Sequence, residues 1–299
     1  MVKNVAPLFA ELEGPDFYLL SGIEHGMRFS EWVDRGRLSE LSGLAPKEVT
    51  YRLERTLKRQ LIEKRTIQYE GYRLTFEGYD ALALRTLAER DAIDGVGAKL
   101  GVGKESDVYE VRSYRPMALK FHREGIGNFR KLNRERDYTS DRRHTSDLYT
   151  ARIAAEREFA ALEALFPSVS VPRPVEHNRH AIVMEKLEGD ELSRASFDPE
   201  EVPPVLHRLL SEVERAYDAG YVHGDLSEYN VFVTPDDVVL FDWPQAVSVD
   251  HENAIELLHR DVANLVDYFE REAPGSTDGF DAGAIAEAIA EQRLGEIRP

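Results

Sequence analysis

The spacing of apolar residues changes character near residue 91. Upstream, from about Asp16 to Asp91, short helical segments precede an alternating stretch. Leu38 to Leu44 predicts a short helix ended by Gly43. Ala45-Pro46 starts a longer one, with the proline suited to a first turn. On that second helix Val49, Leu53, Leu57 and Leu61 recur every four residues as an apolar stripe, and Arg52, Arg55 and Arg59 fall on a separate face. Thr66 to Thr75 alternates around Glu70-Gly71 and predicts a hairpin. Phe76 to Arg90 is an Ala/Leu-rich helix, and the run from Asp91 to Gly97 marks a boundary.

Downstream, β-type residues flank Gly101 to Tyr109, and Met117-Ala-Leu-Lys120-Phe reads as a strand. A helix is expected over Leu148 to Phe166, a strand over His180 to Met184, and a helix over Pro203 to Ala219. Two short strands, Val231 to Val233 and Val238 to Phe241, are separated by a turn at Thr234-Pro-Asp-Asp. Helices over Asn253 to Glu272 and Ala282 to Arg293 close the chain.

Composition adds boundaries. A length of 299 residues suggests two domains, and 42% apolar content supplies a core. No apolar run approaches a membrane span, and no secretory leader is visible. The chain has no cysteine, which excludes disulfides, thiol catalysis and Cys-ligated metals. A cytoplasmic protein without membrane association is the expectation.

Charge changes the picture further. The net charge is −17, and only 9 of the 38 basic residues are lysine. Acid excess with scarce lysine resembles proteins of salt-loving organisms, where the Debye length at molar salt falls to about 3 Å and self-repulsion is screened. An ordinary acidic enzyme is the competing reading. Residues 1–90 carry 14 basic and 14 acidic groups, so the whole deficit lies downstream. Helix, turn, basic helix and hairpin describe a winged helix, a fold that docks on nucleic acid, with Arg52, Arg55 and Arg59 as the candidate contacts. The alternative is that these arginines form a solvated face paired with neighbouring glutamates. A second basic stretch, Arg123 to Arg143, reads as a mobile loop and a possible RNA or phosphate contact.

The candidate chemistry centres on His223-Gly-Asp-Leu-Ser-Glu-Tyr-Asn230, followed a hairpin later by Phe241-Asp242-Trp243. Two strands closed by a tight turn would bring Asp225, Asn230 and Asp242 to one end. Phosphoryl transfer needs such a set: one carboxylate to orient the attacking oxygen, and oxygen ligands to hold magnesium on the phosphates. Alone, the octapeptide also fits residues that cap turns. Gly101-Val-Gly103-Lys104-Glu105-Ser106 adds glycines that admit phosphates without Cβ clashes, with Ser106 and Lys104 as donors. Lys120 follows at the spacing of a phosphate-pairing lysine. Its expected partner is Glu158, with Glu156 the alternative. Met184-Glu185-Lys186-Leu187 fits a hinge that offers backbone groups to adenine. Asp261 either braces the catalytic loop or is an exposed acid.

Together these motifs resemble the RIO kinases, specifically the archaeal form of the winged-helix branch often called Rio two. The resemblance covers nearly the whole chain. It rests on Gly26-Met-Arg28 with Glu31-Trp-Val33, Gly71-Tyr-Arg-Leu-Thr75 with Gly78-Tyr-Asp80, Gly101 to Tyr109, His223 to Asn230, and Asp242-Trp-Pro-Gln245. It implies an α+β fold: an N-terminal winged helix-turn-helix domain over 1–90, then a trimmed two-lobe RIO kinase domain over 91–299, its lobes dividing at 185–186. It implies an enzyme that uses ATP and Mg2+ (or Mn2+) and acts in maturation of the small ribosomal subunit, with pre-ribosomal RNA and proteins as partners. Carried over by motif, Asp225 is the catalytic aspartate, Asn230 and Asp242 bind metal, and Ser106 and Lys104 contact phosphates. Lys120 pairs with Glu158, and Glu185 and Leu187 offer hinge backbone. In several members the counterpart of Asp242 is proposed to become transiently phosphorylated, which makes the enzyme an ATPase switch.

Two departures from ordinary protein kinases bear on mechanism. Ser227 stands where they carry a lysine on the transferring phosphate, and nothing after Asp242 resembles an activation segment ending in Ala-Pro-Glu. Within the family, Arg123-Glu-Gly-Ile-Gly-Asn-Phe replaces a more usual Arg-Leu-Gly stretch. The alternatives are a small-molecule kinase of the aminoglycoside-phosphotransferase type, and a winged-helix regulator with an inactive nucleotide sensor.

Overall fold

The computed structural model describes residues 9–102, 106–123, 147–234 and 237–292. These form two compact units. One is built from the chain up to Glu156 with Val175–Val183, the other from Arg157–Pro174 with the chain from Met184 onward.

In the first unit α1 (Gly14–Met27), β1 (Val33–Asp34), α2 (Leu38–Ser42), α3 (Pro46–Lys58), β2 (Ile62–Thr66), β3 (Glu70–Leu74) and α4 (Phe76–Glu89) make a winged helix. Its core gathers Leu19, Leu20, Ile23, Leu38, Val49, Leu53, Leu61 and Tyr72; Val49 and Leu53 of the α3 stripe pack inward and Leu57 is partly buried, while Leu61, expected on the helix, follows its end at Lys58. The three strands pair in the order β1-β3-β2. The hairpin turns at 67–69, since Thr66 pairs with Glu70 and Arg65 with Gly71. Gly71 is therefore a strand residue and not the expected turn. A Cβ there would lie 2.9 Å from the Trp32 Cβ, so glycine marks a close approach.

Helix α4 serves two cores. Tyr79, Ala81 and Leu82 join the winged-helix core. Ala83, Leu84 and Leu87 join a second one with Tyr109, Met117, Leu119, Phe121 and Val183. That second core lies under a five-stranded sheet of order β4-β5-β6-β8-β7, formed by β4 (Gly95–Val102), β5 (Ser106–Arg112), β6 (Pro116–His122), β7 (Pro174–Asn178) and β8 (Ala181–Glu185). Helix α5 (Asp147–Leu165) contributes to both units.

The second unit contains β9 (Asp190–Glu191), α6 (Val202–Asp218), β10 (Tyr221–Val222), β11 (Val231–Val233), β12 (Val238–Leu240), β13 (Val247–Ser248), α7 (Ala254–Glu272) and α8 (Ala282–Ala290). The strands form two small sheets, β12-β11-β9 and β10-β13, and α7 packs against α6 and α8. No helix among the described residues is long and apolar enough to cross a membrane.

Candidate active site

Strands β11 and β12 pair antiparallel, with Val231 opposite Leu240 and Val233 opposite Val238. Asn230 precedes the first strand and Phe241-Asp242 follows the second, so both leave from the same end. The Phe241 N–H donates to the Asn230 carbonyl at 3.0 Å, one rung beyond the strands. The Asn230 side-chain amide donates to the carbonyl of Asp225 at 2.8 Å. That bond orients the amide and leaves its oxygen as the acceptor end. The hairpin thus brings the chain at Asp225, Asn230 and Asp242 to one end. Asp242 has φ +66, a left-handed conformation uncommon outside glycine. Such a backbone persists where the surroundings over-determine it. Ser227 takes a turn role, its carbonyl accepting from the Asn230 N–H at 3.0 Å.

The loop before Asn230 is tied from behind by α7. Asp261 is 1% exposed and accepts from the Gly224 N–H at 2.7 Å and the Leu226 N–H at 3.0 Å, one on each side of Asp225. Of the two readings open from sequence, the brace is the one found. Burial pushes the Asp261 carboxyl up to about 7, against the two backbone donors that favour its charged form. On the same helix Arg260 donates to the Gly224 carbonyl, and Asn264 donates to the Leu226 carbonyl at 2.9 Å. Gly224 has φ +78, and a Cβ there would meet the Gln245 carbonyl oxygen at 2.9 Å, so no other residue fits. His223 lies 3.0 Å from the Phe241 carbonyl through Nε2, with its ring 4.4 Å from that of the buried Trp243.

The first unit carries its own set. In the β5–β6 ladder Val108 faces Lys120 and Ser106 faces His122. Directly paired residues share a face, so Ser106 and Lys120 lie on the same side of the sheet, diagonal to one another. Leu119 and Phe121 point the other way, into the second core. Gly101 sits near the end of β4, opposite Val108. Gly103 and Lys104 lie outside the described residues. Lys120 is 5% exposed and Glu158 is 1% exposed. Buried charges persist only when paired or hydrogen-bonded. In the second unit Met184 is buried, Glu185 is exposed, and Leu187 is half-buried. The Glu185 N–H is committed to the Arg173 carbonyl at 2.9 Å. What Glu185 can offer a ligand along the backbone is its own carbonyl.

The family described as the RIO domain matches residues 107–280, and the family described as Rio2, N-terminal, matches residues 9–90. The chain belongs to the Rio2 branch of the RIO kinases. The RIO-type serine/threonine-protein kinase Rio2 of Methanocaldococcus jannaschii is 42% identical over 252 residues, 82% of this chain and 92% of that one. Serine/threonine-protein kinase RIO2 of Caenorhabditis elegans is 38% identical over 87% of this chain, which spans 50% of that longer protein. The crystal structure of the Rio2 kinase–ADP/Mg2+–phosphoaspartate complex from Chaetomium thermophilum is similar with a TM-score of 0.77 and 30% identity, over 98% of this chain and 97% of that one. Like its curated relatives, the chain is a RIO-type serine/threonine-protein kinase.

Within this Rio2 chain the arginine face of α3 is not what its spacing suggested. Arg52 is 6% exposed and binds Glu13 at 2.7 Å, Asp16 at 3.2 Å and Glu48 at 2.7 Å. Arg55 reaches Asp16 at 3.0 Å, and Arg59 reaches Glu11 at 3.1 Å. Asp16 is fully buried, and a buried carboxylate requires such partners. The face is therefore paired with acids of α1 and of the residues before it, as in the second of the two readings the sequence left open. Arg123 is corrected likewise. It is no free loop cation but sits in a buried ion network described below. The remainder of the basic stretch, from Glu124 to Arg143, lies outside the described residues.

Sequence reading missed Arg260 and Asn264 as supports of the catalytic loop. Their signal was present: both flank Asp261 on α7, one residue before it and three after.

Proposed function

We propose that this chain binds ATP with Mg2+ and uses nucleotide turnover to time its binding to, and release from, pre-ribosomal small-subunit particles, in the cytoplasm of a salt-loving archaeon. The observation that carries the nucleotide reading is the hairpin end that delivers Asp225, Asn230 and Asp242 together. Its donors are two carboxylates and an amide oxygen. These are hard ligands that suit Mg2+, and Mn2+ as a substitute, especially where phosphate oxygens complete the shell. Asn230 and Asp242 would hold the ion, which supplies charge neutralisation on the phosphates. Asp225 orients the attacking oxygen. Lys120 and Ser106, with Lys104, Gly101 and Gly103, address the phosphates. The Glu185 carbonyl and the Leu187 backbone, beside Met184, address adenine.

By analogy with the phosphoaspartate complex, the Asp242 carboxylate attacks the γ-phosphorus of ATP. An acyl phosphate forms as the bond to ADP breaks, and water then releases inorganic phosphate. Ser227 in place of a cationic residue removes one positive charge from the transferring phosphoryl group. Loss of such a contact costs about 3 kcal/mol of barrier, which favours slow turnover. RNA contact falls to the wing in this reading. Arg65 lies 5.1 Å from the Trp32 ring centre, and Ile67 and Tyr69 are exposed beside it. Stacking of that kind survives molar salt better than phosphate attraction does.

The test is γ-labelled ATP with Mg2+ in molar salt, with and without ribosomal RNA. Hydroxylamine-sensitive label on wild type, absent in Asp242→Asn, and RNA-dependent hydrolysis are the expected results. Turnover persisting in both Asp225→Ala and Asp242→Asn would remove the assignment. Phosphorylation of a small hydroxylated compound would favour an aminoglycoside-type kinase instead.

A further inference from the structure

Behind the start of β5, which presents Ser106, lies a buried ion network that the nucleotide reading leaves unused. Arg123 forks onto Asp80, with Nη1 to Oδ1 at 2.6 Å and Nη2 to Oδ2 at 2.7 Å. Its Nε donates to Asp107 Oδ2 at 2.9 Å. Lys99 holds the other Asp107 oxygen at 2.6 Å. His180 lies 2.7 Å from Asp80 Oδ1 through Nε2 and stacks on Tyr79, with ring centres 4.6 Å apart. Burial takes the imidazole down to about 4, so it is neutral at ordinary pH and its Nε2–H donates to Asp80. Burial alone would raise Asp80. The bond from His180 and the charge and bonds of Arg123 outweigh it and hold the carboxyl below its usual range. Asp80 is 1% exposed, so this is an interior junction and not a surface ion pair.

Its position gives it a direction. Successive strand residues alternate faces. Asp107, paired with Phe121, points toward α4, and Ser106, paired with His122, points to the face that carries Lys120. Fixing Asp107 from behind therefore fixes the backbone that aims Ser106. Asp80 belongs to α4, the last helix of the Rio2 N-terminal match, and Asp107 is the first residue of the RIO domain match. Arg123 is the one side chain of the network that touches both.

We propose that Arg123 is a positioning residue for the nucleotide's phosphates, and that through Asp80 it makes α4 of the winged helix responsive to nucleotide occupancy. The proposal rests on the ATP reading above. Lysine at 123 keeps the charge but cannot form the two-pronged bond to Asp80 while reaching Asp107. Asn at 107 keeps shape and removes the anchoring charge.

The experiment compares wild type, Arg123→Lys and Asp107→Asn, as full chains checked for folding by circular dichroism. ATP turnover, fluorescent ADP affinity, and amide exchange with and without ADP–Mg2+ are measured. KM for ATP is expected to rise about tenfold with kcat changed less than about threefold, since orientation of bound phosphates is lost and the hairpin end is untouched. In wild type, ADP–Mg2+ is expected to slow exchange over residues 76–89, and the variants should lose that slowing while still binding nucleotide. A structural role alone would lower melting temperature without splitting KM from kcat. Unchanged KM in Asp107→Asn, or no nucleotide-dependent exchange at 76–89 in wild type, overturns the proposal. Should Arg123→Lys not fold, Asp107→Asn and the wild-type exchange decide it. Absence of any ADP binding by wild type would instead refute the nucleotide reading itself.

Discussion

The hairpin end of the second unit and the arginine face of α3 were both predicted from spacing, and they came out differently. Asp225, Asn230 and Asp242 leave from one end because 18 residues fold on themselves in one antiparallel turn, with Asn230 bonded back to Asp225 and Phe241 to Asn230. Most of what brings them to one end lies within that stretch, and α7 then ties the loop from behind through Asp261, Arg260 and Asn264. Arg52, Arg55 and Arg59 do share a helix face, as their spacing requires. What the face does is settled by Glu11, Glu13 and Asp16, which approach from 36 or more positions away. Spacing therefore reports which side chains are neighbours on one element. It does not report which other element covers them.

The comparison can be broken at several points. The largest effect belongs to the hairpin end. Asp225→Ala and Asp242→Asn should each lower turnover by about 10²–10⁴-fold, with melting temperature nearly unchanged. Steady-state ATP hydrolysis beside thermal denaturation checks this. A large stability loss would show that the aspartates hold structure as the arginines do. Arg52→Ala should do the reverse. By removing one of the two arginine partners of the buried Asp16, Arg55 remaining, it should cost about 2 kcal/mol of folding stability in urea titration, while kcat of the folded fraction stays near wild type.

A smaller, graded effect sharpens the first half. Protonating Asp261 turns one of its two acceptor oxygens into a donor and releases either the Gly224 or the Leu226 N–H. Turnover should decline with a single-proton limb as pH falls through about 7, and Asp261→Asn should flatten that limb at a lower plateau. The sign for stability is opposite. A carboxyl raised in the folded state binds its proton more tightly there than when unfolded. As far as Asp261 is concerned, folding is favoured as pH drops from 7 toward 4. A parallel circular-dichroism scan separates lost activity from unfolding. Smallest of all, Arg59→Ala removes a partly exposed pair to Glu11. It should change stability by less than about 1 kcal/mol and leave the salt dependence of RNA binding unaltered. A salt slope reduced by about one would return Arg59 to the nucleic-acid surface.

How much was legible follows the same division. Helices α2, α3 and α4, the β11–β12 hairpin and the strand bearing Lys120 were readable because apolar period and turn chemistry are local, whereas α1 was not singled out. The wing's turn was misplaced by a few residues, because Gly71 answers to Trp32, a partner in another strand-bearing segment. Asp261 remained ambiguous in sequence, since an acid on an acidic helix looks exposed until the loop that needs it is folded against it. Arg123 looked like one of seven cations in a polar stretch. Its buried role depends on Asp80, 43 residues upstream.

Helix α4 carries a practical lesson for anyone dissecting this chain. Its residues Ala83, Leu84 and Leu87 are buried by the five-stranded sheet and not by the winged helix they follow in sequence. Cutting after Glu89 to obtain a free-standing N-terminal fragment would lay that apolar strip open to water. Such a fragment should self-associate, and the matching C-terminal piece would lose the lid of its own interior.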